Sequence, residues 1–162
     1  MIYLKKADKS PTTGEEDTRR IVQDMLAKIE NGGEDMAREY AENLDKWTGD
    51  IIVTSEEITA AGERLSQRAR DDIHFAYDRV KKFAEAQLAS MQEFETELSP
   101  GLIAGQKLIP VHTAGCYVPG GRYAHIASAI MSVTTAKVAG VKNVIACSPT
   151  RGSDGVHPSI LY

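Results

Sequence analysis

Between Gly115 and His125 the chain reads Gly-Cys-Tyr-Val-Pro-Gly-Gly-Arg-Tyr-Ala-His. Residue types at this spacing suit the capture of an anionic ligand. Pro119 lacks an N–H and ends strand pairing, while Gly120 and Gly121 admit positive φ and let a ligand come close to the backbone. Arg122 offers a fork of donors matched to a tetrahedral anion such as a sulfonate or phosphate, and His125 can add another donor. The alternative for this pair is a solvated arginine and a helix-cap or surface histidine. Tyr117 either packs its ring under a helix or presents it to the ligand. The residues by themselves leave both alternatives open.

Such a turn works only if flanking elements hold it. Apolar residues over 115–118 predict a strand that runs into the turn, and the small-residue run from about Ile126 to Ala139 predicts a helix. That helix begins with N–H groups that have no intrahelical acceptor and face the turn. A further strand is expected over Asn143–Ala146. Strand, glycine turn, helix and strand form the arrangement in which open α/β folds seat ligands. Ser128 and Ser132 are four apart on one helix face, suited to close packing or to a ligand hydrogen bond. Lys137 and Lys142 read as surface charges.

Upstream the pattern is helical. Tyr3-Leu4 suits a short extended start. Ile21, Val22, Met25, Leu26 and Ile29 make one apolar stripe of a helix over about Thr13–Glu30, closed by Gly32-Gly33. A polar helix is expected over Glu34–Asp45, then a short strand or extended link at Ile51–Val53. Thr54 and Glu57 have the spacing of a capping box. A long helix is expected over about Ser66–Phe94, with apolar residues recurring from Ile73 to Met91, and Ser99-Pro100-Gly101 breaking it. Beyond it, Leu102-Ile103 and Leu108–Val111 read as strands. The fold class is therefore α/β: a mainly helical region over 1–100, then part of a Rossmann-like α/β domain over 101–162, incomplete.

Together, Tyr117-Val118-Pro119-Gly120-Gly121, the block Ala136-Lys137-Val138-Ala139-Gly140-Val141 and the strand end Cys147-Ser148-Pro149 resemble the histidinol dehydrogenase family. The resemblance extends more weakly through the helices, so it spans most of the chain. Histidinol dehydrogenases proper usually carry a Thr-Ala-Pro-like stretch after the two glycines. Here Arg122-Tyr123-Ala124-His125 stands instead, and it resembles the branch that includes sulfopropanediol 3-dehydrogenase. The resemblance implies a zinc- and NAD-dependent enzyme, homodimeric when complete, that oxidises a primary alcohol through an aldehyde to a carboxylate. It implies NAD contacts for Tyr117, Gly120 and Gly121. With the sulfonate chemistry above, it makes Arg122 and His125 substrate-binding candidates. The family's zinc ligands and catalytic acid/base pair match no residue here and are expected beyond residue 162. The chain is thus expected to be inactive in isolation, and a non-catalytic anion- or nucleotide-binding module is the competing reading.

Bulk properties agree with a domain-sized piece. The 162 residues suit one domain or the start of something larger, and the closing Val156–Tyr162 reads like an opening helix, as in a fragment or truncated reading frame. Residues 1–100 hold 14 Lys/Arg against 22 Asp/Glu, a net of −8, whereas residues 101–162 hold five against one, a net of +4. The second part suits a mildly anion-attracting site or simply a core with few charges. Nothing approaches the basic density of a nucleic-acid binder, and no apolar run is long enough to span a membrane. Cys116 and Cys147 lack metal-ligand or CxxC spacing, so a reduced, cytoplasmic protein is the default expectation. His74, His112 and His157 likewise have no partners at metal-ligand spacing. Cys116 beside His112 or His125 would make a nucleophile–base pair only if the fold joined them; a buried strand cysteine is the plainer reading.

Overall fold

The computed structural model describes residues 13–120, 123–150 and 152–162. Tyr3-Leu4, Gly121 and Arg122 lie outside the described residues. The chain forms two compact units, divided between Thr48 and Gly49.

In the first unit α1 spans Thr13–Tyr40, and its helical course is broken at Gly33, where φ is 61° and ψ −142°. The expected pair of helices separated by Gly32-Gly33 is this broken element, since glycine takes the left-handed φ without a Cβ penalty. A π-helical turn, Ala41–Asp45, follows and ends on left-handed Lys46. Ile21, Val22 and Leu26 of the apolar stripe remain exposed.

The second unit opens with α2, Ser55–Glu63, after a link at 51–53 that contains no strand. The capping box forms as expected: Glu57 N donates to Thr54 Oγ1 at 3.2 Å and Thr54 N donates to Glu57 Oε2 at 2.7 Å. Helix α3, Gln67–Ala89, is N-capped by Ser66, whose Oγ accepts from Ala69 N at 3.2 Å. It stops short of the expected Phe94 because the segment after it pairs as a hairpin. Strand β1, Phe94–Ser99, runs antiparallel to β2, Leu102–Gln106, and the Ser99-Pro100-Gly101 segment is the hairpin turn rather than a helix stop. Gly101 takes φ 80°, and its N–H donates to Glu97 Oε1 at 2.8 Å. Phe94, Thr96 and Leu98 alternate with Glu95, Glu97 and Ser99, a period of two that favours strand over helix. The strand expected at Leu108–Val111 is irregular chain instead, as Pro110 removes a ladder donor.

Strand β3, Thr113–Tyr117, helix α4, Ile126–Val138, and β4, Asn143–Cys147, form the parallel β–α–β unit anticipated from the sequence. The register pairs Thr113 with Asn143 and Tyr117 with Cys147. Helix α4 packs against both strands and α3. The core is small: Ala61, Ala84, Cys116, Val118 and Val141 are the buried apolar residues among those described. The last element, α5, Pro158–Leu161, begins with proline in its first turn and is capped by His157, which accepts from Ser159 N at 3.2 Å. Tyr162 lies against Gly62, where an added Cβ would stand 3.0 Å from its Cδ2, and its hydroxyl is 2.8 Å from His74 Nε2. No helix among the described residues is long and apolar enough to cross a membrane.

Candidate functional site

The two parallel strands end side by side. Val118, fully buried, donates its N–H to Cys147 O at 2.8 Å as the last bond of the pair, and Pro119 then ends the ladder. Tyr117 pairs across with Cys147 and is 65% exposed. Cys116, one residue earlier, is buried. Alternation along β3 therefore sends Cys116 inward and Tyr117 outward, which leaves the tyrosine ring available to a ligand.

Beyond Tyr117 the chain folds back on the segment that follows β4. A Cβ built on Gly120 would stand 2.7 Å from Ser148 Oγ, 3.1 Å from Pro149 O and 3.3 Å from Pro149 Cγ. Gly120 thus lacks a side chain because a second turn occupies that space. Sequence reading missed Ser148-Pro149 as the opposite wall of the site. Its signal was available: Pro149 follows the end of β4 much as Pro119 follows the end of β3. Next along the chain, Thr150 Oγ1 is buried and has no hydrogen-bond partner among the described residues.

His125 is the residue preceding α4 and is exposed; its side chain makes no cap hydrogen bond. Its carbonyl accepts from Ser128 N at 3.0 Å and from Ala129 N at 3.3 Å. The fold therefore brings Tyr117 and Gly120 to one strand end and sets His125 at the start of the crossover helix. No hydrogen bond joins His125 to Tyr117 among the described residues. Ser132 donates its hydroxyl to Ser128 O at 2.7 Å, inside its own helix, which accords with packing.

The remaining candidates are occupied structurally. His112 Nδ1 is 2.9 Å from Thr113 Oγ1 and 3.3 Å from Asn143 Nδ2, and His74 meets Tyr162. Among the described residues no three His, Cys, Asp or Glu side chains converge to hold a metal. Both cysteines are free thiols. Cys116 pairs in register with Ala146, and Cys147 with Tyr117, so the two thiols point to opposite faces of the sheet.

The model of the family described as histidinol dehydrogenase matches residues 8–162. A histidinol dehydrogenase homolog of Pelagibacter ubique (strain HTCC1062) is 59% identical over 99% of the chain, which covers 38% of that protein. The sulfopropanediol 3-dehydrogenase of Ruegeria pomeroyi (strain ATCC 700808 / DSM 15171 / DSS-3) is 52% identical over 99% of the chain, which covers 37% of that relative. The crystal structure of histidinol dehydrogenase from Elizabethkingia anophelis superimposes with a TM-score of 0.82 at 28% identity, covering 97% of this chain and 35% of that one. The chain spans somewhat over a third of the length of these proteins. With a family model matched from residue 8 to residue 162, the chain belongs to the histidinol dehydrogenase family.

Proposed function

We propose that this chain forms the NAD-binding side of a dehydrogenase that oxidises a primary alcohol to a carboxylate in two successive hydride transfers, with sulfopropanediol as substrate. The observation that carries it is Tyr117, 65% exposed at the carboxyl end of a parallel strand, beside the proline–glycine turn. Ligands of open α/β sheets gather at that end. The residues present suit a dinucleotide: an exposed aromatic ring and a close pair of turns. NAD, when bound, supplies the hydride acceptor. Tyr117 holds the cofactor, Gly120 lets the two turns close on each other, and Gly121 is assigned to the same cofactor-binding turn. Arg122 and His125 bind the substrate's sulfonate, Arg122 through its forked donors. Zinc finds no donor set among the described residues, so no residue here is given a part in metal chemistry. In this proposal the functional protein is a homodimer.

Sulfopropanediol is favoured by Arg122-Tyr123-Ala124-His125 and by the 52% identity to a relative named for that substrate. Histidinol is the second reading, favoured by the 59% identical relative named as a histidinol dehydrogenase homolog. Steady-state kinetics of a full-length protein containing this segment, varying NAD and, separately, sulfopropanediol and histidinol, test the assignment. Tyr117→Ala is expected to weaken NAD and leave the sulfonate unchanged. Arg122→Ala should do the reverse, by roughly 10- to 150-fold, the worth of a charge-assisted hydrogen bond. Equal effects of Arg122→Ala on both ligands would make the arginine a general support of the turn. Tighter binding of histidinol than of sulfopropanediol would reverse the substrate order.

A further inference from the structure

The two parallel strands leave their sheet in the same way. Tyr117 and Cys147 are in register, so Pro119 and Pro149 fall at the same step, two residues past that pair. A proline fixes its own φ and confines the residue before it to extended backbone. Val118 and Ser148 are therefore both held extended, and Val118 N still reaches Cys147 O at 2.8 Å. Beyond them the two exits meet. The side-chain position of Gly120 faces half-buried Pro149 twice, its carbonyl oxygen at 3.1 Å and its ring carbon Cγ at 3.3 Å. The bond that this carbonyl accepts from Ser148 Oγ is long, 3.5 Å, whereas the φ of Pro149 is set by covalent geometry.

We infer that Pro149 is a positioning residue for the cofactor: by bracing Gly120 it sets the turn after Tyr117 in the free protein. The inference rests on the NAD reading above and extends it to the exit of β4. Pro149 acts through Gly120 and needs no contact with the dinucleotide. A turn already ordered before binding loses less conformational entropy when the ligand arrives, so the brace appears as affinity. Because the contact runs through the absent side chain of Gly120, a methyl group at 120 and the ring at 149 compete for one space.

Fluorescence titration with NADH, thermal denaturation and steady-state kinetics test this on a full-length protein containing this segment. The variants are Pro149→Ala, Gly120→Ala, the double variant and Tyr117→Ala. Pro149→Ala should weaken NADH roughly two- to fivefold, the effect of releasing one proline's restriction of the chain. It should raise the KM for NAD more than that for the alcohol. Gly120→Ala should also weaken NADH, and adding Pro149→Ala to it should restore part of the loss, since the ring carbon is gone and the carbonyl can yield. A residue that only supports the fold would lower the thermal midpoint with no selective loss of NADH, and its losses would add to those of Gly120→Ala. Either of those results overturns the inference. If Pro149→Ala binds NADH as the parent does while Tyr117→Ala binds it weakly, the Pro149 assignment falls and the NAD reading stands. If Tyr117→Ala also binds NADH as the parent does, the NAD reading falls and Pro149 falls with it.

Discussion

Gly120 shows how a residue read for one purpose serves another. Its place after Pro119 suggests a surface for ligand approach, and the turn itself is visible in the sequence. The structure adds that the side-chain position faces Ser148 and Pro149, a contact between segments some thirty residues apart in sequence that no local pattern encodes. Gly120→Ala would press a methyl against Ser148 Oγ and against Pro149 O at 3.1 Å. The serine hydroxyl can rotate away; the backbone carbonyl cannot move without shifting the turn. Overpacking of this kind costs about 1–3 kcal/mol. Gly120→Ala should accordingly lower the denaturation midpoint of the chain and weaken NAD binding together. A midpoint equal to that of the parent would show that the two turns are not tightly packed. Tyr117 contrasts with it: strand alternation puts its ring on the face opposite Cys116, and the structure decides that this face is the open one.

Among the elements, ends set by local chemistry were legible, whereas the end of α3, set by pairing of the next segment, was not. Thr54 with Glu57, Ser66 before α3, Gly33 within α1 and Pro158 at the start of α5 each satisfy backbone groups or set φ within a few residues. Their signals are therefore contained in short stretches of chain. The end of α3 was misplaced because helical spacing of apolar residues continues through Met91 toward Phe94. What decides the boundary is the partner strand β2, together with Gln106 Nε2 donating to Gln92 O at 2.6 Å and Leu108 N to Glu93 Oε1 at 2.8 Å. The capping box gives a direct test at this scale. Thr54→Ala removes the acceptor for Glu57 N and should destabilise the second unit by about 1 kcal/mol, whereas Thr54→Ser should recover most of it. Chemical denaturation followed by helical circular dichroism measures both. An unchanged midpoint in Thr54→Ala would mean that α2 stands on packing against α5 rather than on its cap.

The molecule as a whole leaves much apolar surface in contact with water. The buried apolar residues among those described are small or medium in size, and none is a leucine, isoleucine or phenylalanine. Phe83 on α3 and Ile145 on β4 are 66% and 60% exposed. A groove of about 500 Å³ opens in the second unit, with Ile73, Ile130, Val133 and Leu161 in its walls. Burial of one large apolar side chain contributes about 1.5–3 kcal/mol, against about 1–2 kcal/mol of conformational entropy for each ordered residue. A chain that withholds so many of these side chains from its own core gains by covering them in another way. Edge groups of the two-stranded sheets add unpaired donors and acceptors to the same surface. The 162-residue chain should therefore self-associate at micromolar concentration and bind an apolar fluorescent dye. Sedimentation velocity across a dilution series, run with and without moderate salt, measures the association. Apolar contact should survive added salt, whereas pairing between the acidic front and the basic back of two chains should weaken with it. A single sharp monomer boundary at every concentration, with no dye fluorescence, would show that these faces are covered within the chain itself.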